Sequence, residues 1–114
     1  MEIEFYRDLM ISSLWQTRRV EMIRKLKGKK LPRGAYVLTL AQGEQNQLEF
    51  FEASLLRQKI FDRQKLFVVG IADGYESALE MTEELTRKVY ENTGSADLRK
   101  FITERQMEYE KTGR

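Results

Sequence analysis

Leu66-Phe-Val-Val-Gly-Ile-Ala-Asp-Gly-Tyr75 is the stretch whose reading decides the fold. Leu66, Phe67, Val68, Val69 and Ile71 are large, apolar and β-prone, so 66–72 reads as a buried strand. After Gly74 the apolar period lengthens from 2 to 3.6, so the strand feeds directly into a helix from about 74 to 92. Asp73 and Glu76 have the D-x-x-E spacing of a capping box, in which two side chains satisfy free backbone N–H groups at a helix start. The expected core face is Ala78, Thr82, Leu85 and Val89, widened by Leu79, Met81 and Tyr90. Gly94 then closes the helix. Ser95 is expected to cap a last helix that buries Leu98, Phe101 and Ile102 and frays over 106–114.

Working back towards the N-terminus, 3–11 reads as a strand with Ile3, Phe5, Leu9 and Ile11 on one face and Arg7 interrupting them. Ser13 and Gln16 form a second capping-box pattern, opening a helix that should run to Leu26 or Lys27 and stop at Gly28. Trp15, Met22, Ile23 and Leu26 make its apolar stripe. Pro32 and Gly34 forbid further helix. A strand is expected over 35–41, a turn over 42–46, a short strand over 47–52 and a helical turn after it. Antiparallel neighbours need only a short connection, and Gly43-Glu-Gln-Asn46 supplies one. The expected fold is one α+β domain over 1–105, in the order β-α-β-β-β-α-α. Its sheet of three or four strands should be mainly antiparallel and packed on one face by helices.

The 114 residues contain no cysteine and no histidine. Disulfides, thiol nucleophiles, thiolate zinc sites and Ser-His or Cys-His pairs are therefore excluded. A base working near pH 7 would need a strongly shifted carboxylate, lysine or tyrosine. These exclusions favour a non-catalytic protein with no cofactor and no metal. No apolar run reaches the roughly 20 residues of a membrane helix, and Met1-Glu-Ile-Glu-Phe-Tyr6 lacks the basic and apolar regions of a signal peptide. A cytoplasmic location is expected.

The net charge of +2 is unevenly spread. Residues 1–65 carry 13 Lys/Arg against 8 Asp/Glu, and residues 66–114 carry 7 against 10. Arg18, Arg19, Arg24, Lys25, Lys27, Lys29, Lys30 and Arg33 face a single acid, Glu21, and are the candidate surface for a polyanion or a protein partner. At 100° per residue they do not share one helix face. Arg19 falls among Trp15, Met22 and Ile23. Its stem should pack there, with its head either in water or offered to a ligand carboxylate or phosphate. Gly70-Ile-Ala-Asp-Gly74 lacks the spacing of a phosphate loop and carries its own carboxylates. Glu76, Glu80, Glu83, Glu84 and Glu91 read as a solvated acidic face, since metal sites on helices of this kind pair glutamate with histidine.

From Ser13 to Thr93 the order helix–strand–strand–strand–helix is similar to the double-stranded-RNA-binding domain. That family opens its second helix with a lysine cluster, where this chain has Asp73-Gly-Tyr-Glu-Ser-Ala-Leu-Glu80, so the resemblance implies topology alone. The segment Leu66–Glu80, with Val89-Tyr90, Thr93-Gly94, Gln47-Leu-Glu49 and Arg99-Lys-Phe-Ile102, resembles a family of short uncharacterised bacterial proteins. That resemblance implies a bacterial cytoplasmic origin and no assigned activity. The expected function is a small interaction or regulatory protein, possible dimer included, with partners on the basic 18–33 region or the exposed side of the sheet and last helix. A nucleic-acid-binding module using that basic segment is the alternative.

Overall fold

The computed structural model describes residues 2–41 and 47–112; the expected 42–46 turn lies outside them. The α+β class and the order β-α-β-β-β-α-α hold. Strands β1 (Glu2–Ile11), β2 (Tyr36–Leu40), β3 (Leu48–Glu52) and β4 (Lys65–Ala72) form one sheet in the order β1-β4-β2-β3. β2 pairs antiparallel with both β3 and β4, while β1 pairs parallel with β4. The 66–72 run thus becomes an interior strand, as its unbroken apolar character requires.

The sheet is covered on both faces, which corrects the single-face expectation. On one side α1 (Arg19–Lys27) and the 3₁₀ segments 13–18, 53–57 and 59–61 enclose Trp15, Met22, Leu26, Val37, Leu56, Val68 and Ile71. On the other, α2 (Tyr75–Thr93) and α3 (Leu98–Thr112) enclose Tyr6, Leu38, Val69, Ala78, Leu85, Val89 and Ile102. The cause is β4 itself. A strand apolar at successive positions buries both of its faces, so each needs a cover.

Two irregularities meet at Val69. Leu38 pairs with Gly70 but Thr39 with Val68, so Val69 is an extra residue against β2. Against β1 the register passes from Phe5–Val68 to Met10–Gly70, leaving residues 6–9 opposite Val69 alone. The extra residue lets Val68 and Ile71 serve one cluster while Val69 and Ala72 serve the other. At Gly70 α2 comes so close that an added Cβ would stand 2.5 Å from Met81 Sδ.

Helix ends depart from the expected motifs. Ser13 and Gln16 form no capping box: 13–18 is 3₁₀, Gln16 Nε2 donates to the Ile11 carbonyl at 3.0 Å, and Ser12 Oγ accepts the Asp73 N–H at 2.9 Å. Asp73 does not cap α2; Gly74 occupies that position, without a side-chain hydrogen bond. α1 ends in a Schellman pattern, with Lys30 N–H on Lys25 O and Lys29 N–H on Leu26 O. The left-handed residue is Lys29 (φ 58°), one place after the glycine expected to fill that role. Gly94 is left-handed (φ 71°), as expected. Asp97, two residues beyond Ser95, caps α3 by accepting the Lys100 N–H at 3.0 Å. α3 continues to Thr112, through the stretch expected to fray from 106. Gln106 Oε1 accepts the Arg7 N–H of the β1 bulge at 2.9 Å, Arg105 pairs with Asp8 at 2.8 Å, and Arg7 lies over the Tyr109 ring.

Candidate functional site

The basic segment is dispersed. Arg18 and Lys25 both bind the Glu21 carboxylate, at 2.6 and 3.1 Å. Hydrogen bonds from Arg18, then from Lys25, hold that carboxyl at about 2, well below the usual carboxylate range. Lys29 reaches Asp62 at 3.7 Å, and Lys27 lies over the Phe5 ring. Arg24, Lys30 and Arg33 are exposed and form no ion pair among the described residues. Consecutive residues lie about 100–120° apart in either kind of helix, so Arg18 and Arg19 part company. Arg19 is half-buried on the other side of α1.

Arg19 lines a groove of about 380 Å³ between β1 and α2. Ser12, Ser13 and Gln16 stand with it on one wall, and Ser77, Glu80, Glu84 and Lys88 on the other. The acidic face expected on α2 is therefore partly a groove wall. Among the described residues no group of three or more carboxylates is placed to hold a metal ion. Nor is any helix long and apolar enough to cross a membrane. A larger groove of about 730 Å³, with Leu40, Phe67 and Met107 among its lining, lies between α3 and the start of β4.

A third surface was missed by pattern reading. Leu79 and Tyr90, expected to widen the α2 core, are 37% and 61% exposed, and Tyr75 is 54% exposed. The expected Ala78, Met81, Leu85 and Val89 are buried, while Thr82, also expected on the core face, is only half-buried. At 100° per residue, Tyr75, Leu79, Thr82, Thr86 and Tyr90 fall within roughly 80° of the helix circumference, a sector without charge. Thr82 and Thr86 donate their hydroxyls to the carbonyls of Ala78 and Thr82, at 2.9 and 2.8 Å. With those hydroxyls occupied within the helix, the two threonines add little hydrogen-bonding demand to the stripe. Tyr75 sits 5.8 Å from the Tyr36 ring and 5.7 Å from Phe50, which places this flank beside β2 and β3. β3 is an end strand of the sheet, so the Tyr75 end of this flank lies towards that sheet edge. The signal was in the sequence as the uncharged i, i+4, i+7, i+11, i+15 series starting at Tyr75.

Comparison of the chain with protein families, with curated proteins and with solved structures finds no match.

Proposed function

We propose that this chain is a small non-catalytic interaction domain that docks a protein partner on the flank of α2 beside β2 and β3. The observation that carries the reading is the charge-free stripe Tyr75, Leu79, Thr82, Thr86 and Tyr90, continuous with the Tyr36 and Phe50 rings. In a chain one-third charged, α2 concentrates its carboxylates on the remaining surface and leaves this flank apolar. An exposed apolar strip rimmed by charge marks a contact surface, because leaving it in water forgoes about 25 cal/mol for each Å² that could be buried.

Site-specific photo-crosslinking in cells tests the reading. A benzophenone amino acid in place of Leu79 should give a discrete protein adduct, and the same probe in place of Glu84, on the groove wall, should not. Equal labelling from both positions, or none from either, overturns it. Exposed Arg24, Lys30 and Arg33 support a second reading, contact with a nucleic-acid backbone. Anisotropy with labelled duplex and single-stranded probes at about 50 and 200 mM salt decides that one, since phosphate contacts weaken steeply as salt rises.

A further inference from the structure

We infer that the groove between β1 and α2 binds a free amino acid, with its carboxylate on Arg19 and its ammonium on Asp73 and Glu80. Strand topology supplies the first argument. β1 and β4 are adjacent and parallel, and they end side by side at Ile11 and Ala72. From those ends the chain leaves in opposite directions. After β1 it turns to the face where Trp15, Met22 and Leu26 are buried, and after β4 to the face where Ala78, Met81 and Leu85 are buried. Neither connection crosses the strand ends, so a crevice opens between them, the place where sheets with parallel strands take their ligands. Ser12 ties the two ends together: its N–H donates to the Ile71 carbonyl at 3.1 Å, and its Oγ accepts the Asp73 N–H at 2.9 Å. The groove of about 380 Å³ is lined by both residues. Its volume lies within the roughly 300–1,000 Å³ usual for small-molecule sites.

The charges on its walls define the ligand. Arg19 is half-buried, and its guanidinium has no acceptor among the described residues. Asp73, Glu80 and Glu84 line the same groove and form no ion pair among the described residues, whereas Asp8 is taken by Arg105. A simple anion would meet three carboxylates there, and a simple cation would meet Arg19 and Lys88. A molecule carrying both charges suits both walls at once. The planar guanidinium matches a carboxylate through two parallel hydrogen bonds, and an ammonium has three donors for carboxylate acceptors. The fold keeps the opposite charges apart. Arg19 is carried by the segment that buries Trp15 and Met22 in one cluster, and Glu80 by the helix that buries Ala78 and Met81 in the other. Lys88 lies about 12 Å further along α2 than Glu80. Leu9, Leu85 and Phe101 line the groove as well and receive the side chain of the amino acid. This site is independent of the docking flank, which is a different side of α2.

The test is a titration of the nitrogen-15-labelled full chain with each of the common amino acids up to about 10 mM, followed by amide resonances. At least one should shift the signals of Ser12, Ser13, Asp73 and Ser77, with a dissociation constant of about 1 mM or below. The deaminated and the decarboxylated analogues of that amino acid should each bind about tenfold more weakly or worse, because each leaves one wall without its partner. Arg19→Gln should weaken binding by a similar factor. Arg24→Gln, exposed on α1 and outside the groove lining, should leave it unchanged. The analogue comparison needs no substitution, so it decides even where Arg19→Gln fails to fold. No shift with any amino acid, or shifts confined to residues outside the groove, overturns the inference. An analogue that binds as tightly as the amino acid also overturns it, since one charge then suffices. So does a folded Arg19→Gln variant with unchanged affinity.

Discussion

Gly70 is where the fold leaves no space for a side chain. Gly70→Ala would put a methyl 2.5 Å from Met81 Sδ, while Leu38 Cβ, at 3.4 Å, could stay with a slight adjustment. Apolar atoms rest about 3.5–4.0 Å apart, so the Met81 sulfur has to withdraw by at least 1 Å or so. Overpacking of this kind costs about 1–3 kcal/mol. Methionine yields through its three rotatable bonds, and losing a glycine from a strand returns about 0.5–1 kcal/mol, so the net loss should be near 1 kcal/mol. Met81→Ala alone empties the same space and should cost about 2–5 kcal/mol. With both changes the new methyl occupies part of the vacated volume. The double variant should therefore be more stable than the sum of the single losses predicts, by about 1 kcal/mol or more. Urea unfolding followed by far-ultraviolet circular dichroism and by fluorescence of Trp15, the only tryptophan and a buried one, measures all three. Losses that add to within about 0.5 kcal/mol would refute close packing of α2 on β4 at this point.

Lys29→Gly should stabilise the protein by about 0.5–1 kcal/mol and raise its melting temperature by several degrees, since Lys29 alone among the described non-glycine residues has positive φ. Gly28→Ala should be tolerated, its Cβ meeting nothing closer than 3.6 Å; a large loss there would show that the left-handed cap had been placed on the wrong residue. The Glu21 carboxyl, lowered to about 2 by Arg18 and Lys25, contributes stability present above pH 4.5 and lost as pH falls towards 2. Carbon-detected titration should find its midpoint near 2, and a midpoint near 4.5 would show that the two cations do not hold it. Burial, and then the Asp8 charge, raise the Tyr6 phenol above 10 against the opposing pull of Arg105. The stability it contributes is full below pH 10 and declines as pH rises through the folded value. Absorbance at alkaline pH should show a late-ionising phenol, absent in Tyr6→Phe, and identical curves would dismiss the shift.

The strand–helix junction at 66–93 was legible because two strong signals agree there: a dense β-prone run, and a change of period punctuated by glycine. The single-face expectation overlooked what the same run implies, that both sheet faces need cover, since only one face of a half-exposed strand is apolar. The bulges were not legible. Nothing in 6–9 marks those residues as extra, because a bulge is a property of two strands in register and the partner lies some 60 positions away. The capping boxes at Ser13 and Asp73 misled for a related reason. Ser12 Oγ is used by the Asp73 N–H, a link between distant segments that outcompetes the local motif. Leu79 and Tyr90 were assigned to the core because apolar residues on an amphipathic helix are ordinarily buried. α2 carries more uncharged circumference than one sheet can cover. The basic segment kept its composition but lost its coherence, since Glu21, Asp62 and Phe5 each take up part of it.

The parallel pairing of β1 with β4 also has a consequence for the order of events on a ribosome. Glu2 pairs with Lys65 and Ile11 with Ile71, so β1 finds its partner strand only after some 60 further residues have been synthesised. β2 and β3 are close in sequence and can form their antiparallel pair early, whereas contacts across such separations form slowly. Until β4 emerges, Tyr6, Leu9 and Ile11 have neither core to enter. β1 can join only once β4 is present, and its arrival adds Leu9 and Ile11 to one apolar cluster and Tyr6 to the other. Folding rate should accordingly be most sensitive to what delays that arrival, and least to the contacts of α3 that form upon it.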